Sequence, residues 1–376
     1  MYKRDLLSLM KERMFRGKVI VLLGARQVGK TTMLKALMQE QNADSVLSLN
    51  CDEPQTVALL INRNLRDLQA LVNNKKLIII DEAQKVDNIG LTLKLMVDQI
   101  PDIQIIATGS SAFELRNRLN EPLTGRKFEY QMFPISTNEI WQTDGYLDVH
   151  RYFEQRLIYG SYPEVLTHSA DARDLLLTLS DSYLYKDILS TENLRKPDLL
   201  VRLLRALAYQ VGSEVSYNEL AQTIGSDAKT VERYVELLEK CFIVFRLHGL
   251  SRNLRQELKK TKKIYFYDNG VRNAVIQLFM PIEMRNDMGA LWENFFISER
   301  MKFNHYNHRY CNTYFWRTKE QQEIDYIEES DGTMTAFEMK WNQKRGNVRF
   351  PKSFLEAYDV KETVVVTPDN YLDWLH

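Results

Sequence analysis

Apolar residues in the first third of the chain cluster in short runs, 18–23 (KVIVLL), 77–80 (LIII) and 103–107 (IQIIA), with Lys18 and Gln104 the polar residues among them. Runs of this length without alternation predict central strands of a parallel sheet, buried on both faces. Residues 32–41 (TMLKALMQEQ) carry helical periodicity between the first two. From about Leu147 to Arg205 the pattern is mainly helical, with Leu175, Leu176, Leu179 and Tyr183 on one face, and Lys196-Pro197 breaks it. Residues 199–250 then predict helix, N-capped helix from Ser216, a turn at Ile224-Gly225-Ser226, helix AKTVERYVELLEK and strand CFIVFRL, the layout of a winged helix-turn-helix. Beyond Lys263 come strand KIYFYD, a helix beginning near Gly289, and strands TYFWR, EIDYIEE and MTAFEMKW, with Asp331-Gly332 as a hairpin turn. A helix around Phe354 to Tyr358 and a last strand from Glu362 follow. The expectation is an α/β multidomain chain divided as 1–146, 147–198 (a helical lid or linker), 199–260 and 261–376.

Size agrees, since 376 residues exceed one ordinary core. Hydrophobic residues make up 44% and charged residues 27%, the balance of a soluble globular protein. Fifty basic residues against fifty acidic ones leave no chain-wide basic footprint for nucleic acid, though a local patch remains open. Cys51, Cys241 and Cys311 match no disulfide or zinc spacing. The first residues have no apolar signal-peptide core, and no run approaches the roughly 20 apolar residues of a membrane helix. A cytoplasmic protein without a membrane partner is expected.

The first apolar run leads directly into Gly24-Ala25-Arg26-Gln27-Val28-Gly29-Lys30-Thr31, followed by Thr32 and a helix. Strand, glycine loop and helix form the context in which G-x-x-x-x-G-K-[ST] binds phosphates. Backbone N–H groups of the loop and the helix N-terminus face the anion. Lys30 is expected to reach the β- and γ-phosphates and the Thr31 hydroxyl to hold Mg²⁺. The second run ends in Asp81-Glu82, which would hold the Mg²⁺ shell and polarise the attacking water, respectively. An acidic pair at a strand end also serves as a helix cap.

These segments, with Thr108-Gly109-Ser110-Ser111, Leu123-Thr124-Gly125-Arg126, Phe133-Pro134-Ile135-Ser136, Glu139 and 159–164 (YGSYPE), resemble a widespread group of prokaryotic AAA+-type ATPases. The resemblance covers nearly the whole chain. It implies ATP as the nucleotide, where the motif alone leaves GTP open. It also implies a sensor residue after the third strand, Ser110 or else Thr108, where a plain helix N-cap is the alternative. It makes Arg126 a finger reaching a neighbouring subunit, and hence implies a ring-shaped homo-oligomer (hexamer or heptamer); a surface ion pair is the alternative.

In the winged-helix segment, Lys229, Thr230 and Arg233 would face a DNA major groove, while Glu232, Glu236 and Glu239 oppose phosphate and leave a protein-contact role open. The basic run 252–263, with Lys259, Lys260, Lys262 and Lys263, would follow a nucleic-acid backbone or be solvated surface.

In the last third, Glu338 and Lys340 share one face of a strand, and Asp325 lies on the hairpin's other strand. Two carboxylates and a lysine suit Mg²⁺- or Mn²⁺-assisted phosphodiester cleavage, with Glu293 as a further ligand. The order of helix-Glu293, strand-Asp325, strand-Glu338-x-Lys340, helix and strand resembles the PD-(D/E)XK restriction-endonuclease fold, with Ile324 where proline is usual. The resemblance implies a nuclease-like domain, either cutting DNA or kept for binding.

Overall fold

In a computed structural model the chain folds as two units. Its description covers residues 2–110, 115, 119, 121–182, 196–250, 262–342 and 348–376. The first unit is Met1–Pro134 with Lys240–Phe242, and the second is Ile135–Glu239 with Ile243–His376. The first division therefore falls about a dozen residues earlier than the boundary expected after 146.

The first unit is built on β1 (Val19–Gly24), β2 (Val46–Asn50), β3 (Leu77–Asp81), β4 (Gln104–Gly109) and β5 (Lys127–Met132). They form one sheet in the order β2-β3-β4-β1-β5, every neighbouring pair parallel. Every residue of β1 and β4 is buried, which is why their sequences do not alternate. Because all five strands point the same way, β1, β3 and β4 end at one edge, where ligands of open α/β sheets bind. Gly24 ends β1 because nothing larger fits: a Cβ there would lie 2.4 Å from the Met132 carbonyl oxygen. Gly29 has φ +97°, open to glycine, and caps the helix Lys30–Gln39.

The second unit carries a seven-stranded mixed sheet in the order β12-β11-β10-β9-β7-β8-β6. Its strands are β6 (Glu214–Val215), β7 (Val244–Gly249), β8 (Lys262–Phe266), β9 (Asn312–Arg317), β10 (Glu323–Ser330), β11 (Thr333–Met339) and β12 (Val360–Val366). The boundary expected after 260 differs from this topology, since β7 and β8 pair antiparallel across it and join one sheet with β9. The turn joining β10 to β11 has Asp331 and Gly332 at φ 52° and 82°, the left-handed pair an Asp-Gly hairpin needs. The helix Met288–Tyr306 buries Trp292 among Phe153, Phe295, Trp341 and Tyr371, with ring centroids 5.0–6.3 Å apart.

The segments 133–139 and 159–164 have structural roles in this second unit, from Ile135 onward. Ser136 and Glu139 form a reciprocal capping box on the helix Thr137–Asp144. The Ile135 N–H donates to the Ser161 carbonyl at 2.9 Å. Gly160, at φ +72°, leaves room for Asp268, whose Oδ2 accepts the Ser161 N–H at 2.7 Å. Glu299, fully enclosed, accepts from the Thr137 N–H (2.6 Å), the Thr137 hydroxyl (2.7 Å) and Lys302 (2.6 Å), with Arg156 at 3.6 Å. Burial would raise its carboxyl, but Lys302 and Arg156 outweigh that and hold it below the usual range. A buried charge persists only with such partners.

Candidate nucleotide site and a second charged cluster

At the carboxyl edge of the five-stranded sheet, a chain of hydrogen bonds joins the three strand ends. Lys30, buried at the start of its helix, donates to the carbonyls of Gly24 and Ala25, each at 2.8 Å. Its ammonium is thus held inside the loop that it closes. The Thr31 hydroxyl donates to Asp81 Oδ2 at 2.8 Å, and the Thr108 hydroxyl donates to Asp81 Oδ1. Thr108 Oγ1 also accepts the Glu82 N–H at 3.1 Å. Glu82 stands in the left-handed region (φ 53°), which turns its carboxylate toward β4. There Glu82 Oε2 accepts from the Ser110 hydroxyl (2.9 Å) and the Gln84 amide (2.5 Å).

Both sensor candidates therefore contact the acidic pair, Thr108 through Asp81 and Ser110 through Glu82. Gln84, two residues past the acidic pair, is a further member of this network. Its amide links Glu82 and Ser110, and its Oε1 has no hydrogen-bond partner. Ala25 and Val28 are buried in the loop, while Arg26, Gln27, Thr31 and Thr32 are exposed. Beside the site the Cys51 thiol is pushed up to about 12 by burial and then by Asp81, Asp52 and Glu82, so it carries no thiolate at neutral pH.

The residues present fit a Mg²⁺-bound triphosphate. Thr31 and Asp81 bring two oxygen ligands together, and a lysine sits at the helix N-terminus behind a glycine loop. Arg126 lies elsewhere on this unit, with its Nε 2.8 Å from Asp98 Oδ1 and its side chain 41% exposed. It is thus both exposed and engaged in a surface ion pair.

In the second unit, Asp325 sits where the β9–β10 register shifts, between Ile324 and Ile327. Its Oδ2 accepts the Met339 N–H at 2.8 Å, which places it beside Glu338 and Lys340. Lys340 Nζ lies 2.8 Å from Glu338 Oε2 and 4.0 Å from Asp325 Oδ2. Burial and then Asp325 push the Glu338 carboxyl up to about 8, against the pull of Lys340.

Glu293 is held differently. Its Oε1 accepts from Lys263 Nζ (3.0 Å) and from the Tyr265 hydroxyl (2.6 Å), and Lys263 also lies 2.7 Å from Glu323. Burial raises the Glu293 carboxyl, while Lys263 opposes the rise. Burial works against the charge on Lys263, but Glu293, Asp325 and Glu323 together keep it protonated well above its ordinary range.

Asp325 lies beside Glu338, and Glu293 shares Lys263 with Glu323 and with the charge of Asp325. Among the described residues, no group of three His, Cys, Asp or Glu side chains is placed to hold a metal ion. One expectation is corrected: Lys263 is not a DNA contact, being 2% exposed between two carboxylates. Its neighbour Lys262 faces the other way, over the Tyr217 ring and 3.8 Å from Glu232. Lys259 and Lys260 lie outside the described residues. Lys229 and Arg233 are exposed on the helix Ala228–Lys240, and Thr230 is engaged in that helix's first turn by Asp227.

Similarities to known proteins follow the same division. Residues 16–141 match a family model described as "AAA domain". Residues 150–281 and 288–375 match two models, each described as a domain of unknown function. A solved Walker-type ATPase of Pyrococcus abyssi is 17% identical, with a TM-score of 0.51, covering 73% of this chain and 96% of that one. The first unit is a P-loop ATPase domain of AAA type. An uncharacterized protein of Mycobacterium tuberculosis is 24% identical over 378 residues, covering 98% of this chain and 80% of that protein. One from Haemophilus influenzae is 25% identical over 280 residues, covering 68% of each. Among the described residues, no helix is long and apolar enough to cross a membrane.

Proposed function

We propose that the chain is a Mg²⁺-dependent ATPase whose hydrolysis serves a macromolecule bound by the second unit, DNA being the first reading. The observation that carries the hydrolysis is the Thr31–Asp81–Thr108 and Glu82–Ser110–Gln84 hydrogen-bond chain facing the glycine loop. Lys30 shifts from the loop carbonyls to the β- and γ-phosphate oxygens, and the backbone N–H groups of 25–31 surround them. Mg²⁺, when bound through Thr31 and Asp81, supplies charge compensation at the phosphate oxygens. Glu82 accepts the proton of the attacking water, and Ser110 with Gln84 sets the direction of its carboxylate. Arg126 is the proposed finger toward a neighbouring copy, with Asp98 as its resting partner.

Support for DNA comes from the helix pair Tyr217–Ile224 and Ala228–Lys240, joined through Gly225 at φ +71°, with Lys229 and Arg233 outward. A second reading is a nucleotide-dependent switch that binds protein partners and cuts nothing. Lys263 favours it, since an ammonium already neutralises the carboxylates that would otherwise need a metal. We assign no cleavage step to Asp325, Glu338 or Lys340. ATP hydrolysis with and without single-stranded and duplex DNA separates the readings, with Lys30→Ala as control and the same DNA run on a gel. Stimulation without cutting supports the DNA-directed ATPase, and DNA-indifferent hydrolysis supports the switch. Cutting that is lost in Lys340→Ala would overturn the assignment of the second cluster.

A further inference from the structure

Arg4 immediately precedes the helix Asp5–Lys11, far in sequence from the glycine loop, yet its buried guanidinium reaches that loop. Its Nη1 donates to the Val28 carbonyl at 2.8 Å and its Nη2 to the Phe133 carbonyl at 2.6 Å. The Val28 carbonyl belongs to the same peptide unit as the Gly29 N–H. In a trans peptide these two groups point in opposite directions. No cis peptide occurs among the described residues. Anchoring the carbonyl on Arg4 therefore turns the Gly29 N–H away from Arg4.

The second carbonyl gives the anchor a fixed reference. Phe133 follows β5 directly, and β5 pairs with β1 through Gly24 and Met132. The loop is thus tied at both ends to one strand, by the close approach of Gly24 to Met132 and by Arg4 between Val28 and Phe133. A guanidinium suits this task, since its planar fork spans two acceptors at once, which an ammonium on a flexible stem does not. The Phe133-Pro134 segment, singled out in sequence but without a role in the first unit, supplies one of the two acceptors.

We propose that Arg4 is a positioning residue for triphosphate binding, holding the Val28–Gly29 peptide so that the Gly29 N–H is aimed at a phosphate oxygen before nucleotide arrives. This rests on the reading of the glycine loop as the nucleotide site. Because the anchor shapes the empty loop and its bound form alike, its loss weakens binding and leaves the chemical step intact.

The test is binding of a fluorescent ATP analogue with Mg²⁺ to the full chain, together with steady-state hydrolysis. Wild type, Arg4→Gln, Arg4→Lys and Lys30→Ala are compared. The expected result is a dissociation constant and a KM raised roughly tenfold or more in Arg4→Gln, with kcat within about twofold of wild type. Arg4→Lys, which keeps the charge and reaches one carbonyl, is expected to fall between the two. A merely structural role would instead reduce the folded, active fraction, lowering kcat while the folded remainder keeps its KM. That result, or wild-type affinity in both Arg4 variants, would overturn the proposal. Loss of binding in neither Lys30→Ala nor the Arg4 variants would instead count against the nucleotide site itself.

Discussion

The two units use the same chemical parts, carboxylates at strand ends with a lysine beside them, and arrange them in opposite ways. At the edge of the five-stranded sheet, Asp81 and Glu82 accept hydrogen bonds from hydroxyls and an amide, and Lys30 rests on carbonyl oxygens. Those contacts are with neutral groups, which a cation and a polyanion can displace. In the seven-stranded sheet, Glu293 and Glu323 grip Lys263, and Glu338 grips Lys340. There Lys263 is held by opposite charges, and burial makes any lone charge expensive, which also keeps a proton on Glu338 up to about pH 8. An open site is built by giving each charge a neutral partner, and a closed cluster by giving it an opposite one.

The contrast is broken most forcefully at Glu82. Glu82→Gln is expected to lower kcat by roughly 10²–10⁴, the range of a general base, with nucleotide affinity retained; phosphate release and nucleotide binding measured in parallel check this. Next is the comparison of the two lysines. Lys263→Met leaves buried Glu293 without its cation, while Glu323 keeps Arg317 at 3.7 Å, and is expected to destabilise the second unit by about 3–5 kcal/mol in urea unfolding. Lys30→Met removes a cation that rests on the Gly24 and Ala25 carbonyls, and is expected to abolish hydrolysis while costing less stability. Equal losses of stability in the two variants would erase the distinction.

Gly160→Ala tests the packing beneath the closed cluster's unit. Its Cβ would lie 1.9 Å from Asp268 Oδ1 at φ +72°, so a loss of at least ~1 kcal/mol is expected in the same unfolding assay. A further effect concerns pH. Glu338 is raised from 4.5 to about 8 in the fold, so the folded state holds a proton the unfolded chain releases. That stabilisation is present in full below 4.5 and is lost as pH rises through about 8. Thermal unfolding is expected to show a midpoint falling across this window, with the slope reduced in Glu338→Gln.

What was legible in sequence is what is local. The run KVIVLL, the glycine loop and Lys30 are contiguous, so strand, turn and helix follow from one another, and β1 and its helix lie within a residue or two of the expectation. Asp81 was readable because a buried strand ends there. Arg4 was not, because its acceptors lie 24 and 129 residues away and no local pattern marks it. Lys263 misled for a related reason. It stands in a basic run, but strand alternation turns it inward and Lys262 outward, a distinction that charge counting cannot make. Gln84 gave a weak signal only, as the polar residue two positions past the acidic pair.

The most direct test of this account is a count of bound Mn²⁺, by spin resonance of the full chain, in the presence and absence of a non-hydrolysable ATP analogue. The account predicts one tightly bound ion per chain, dependent on nucleotide, lost in Asp81→Ala and retained in Asp325→Ala and Glu338→Gln. A second tight ion that needs no nucleotide and disappears in Asp325→Ala or Glu338→Gln would contradict it, and would make the second cluster a metal centre.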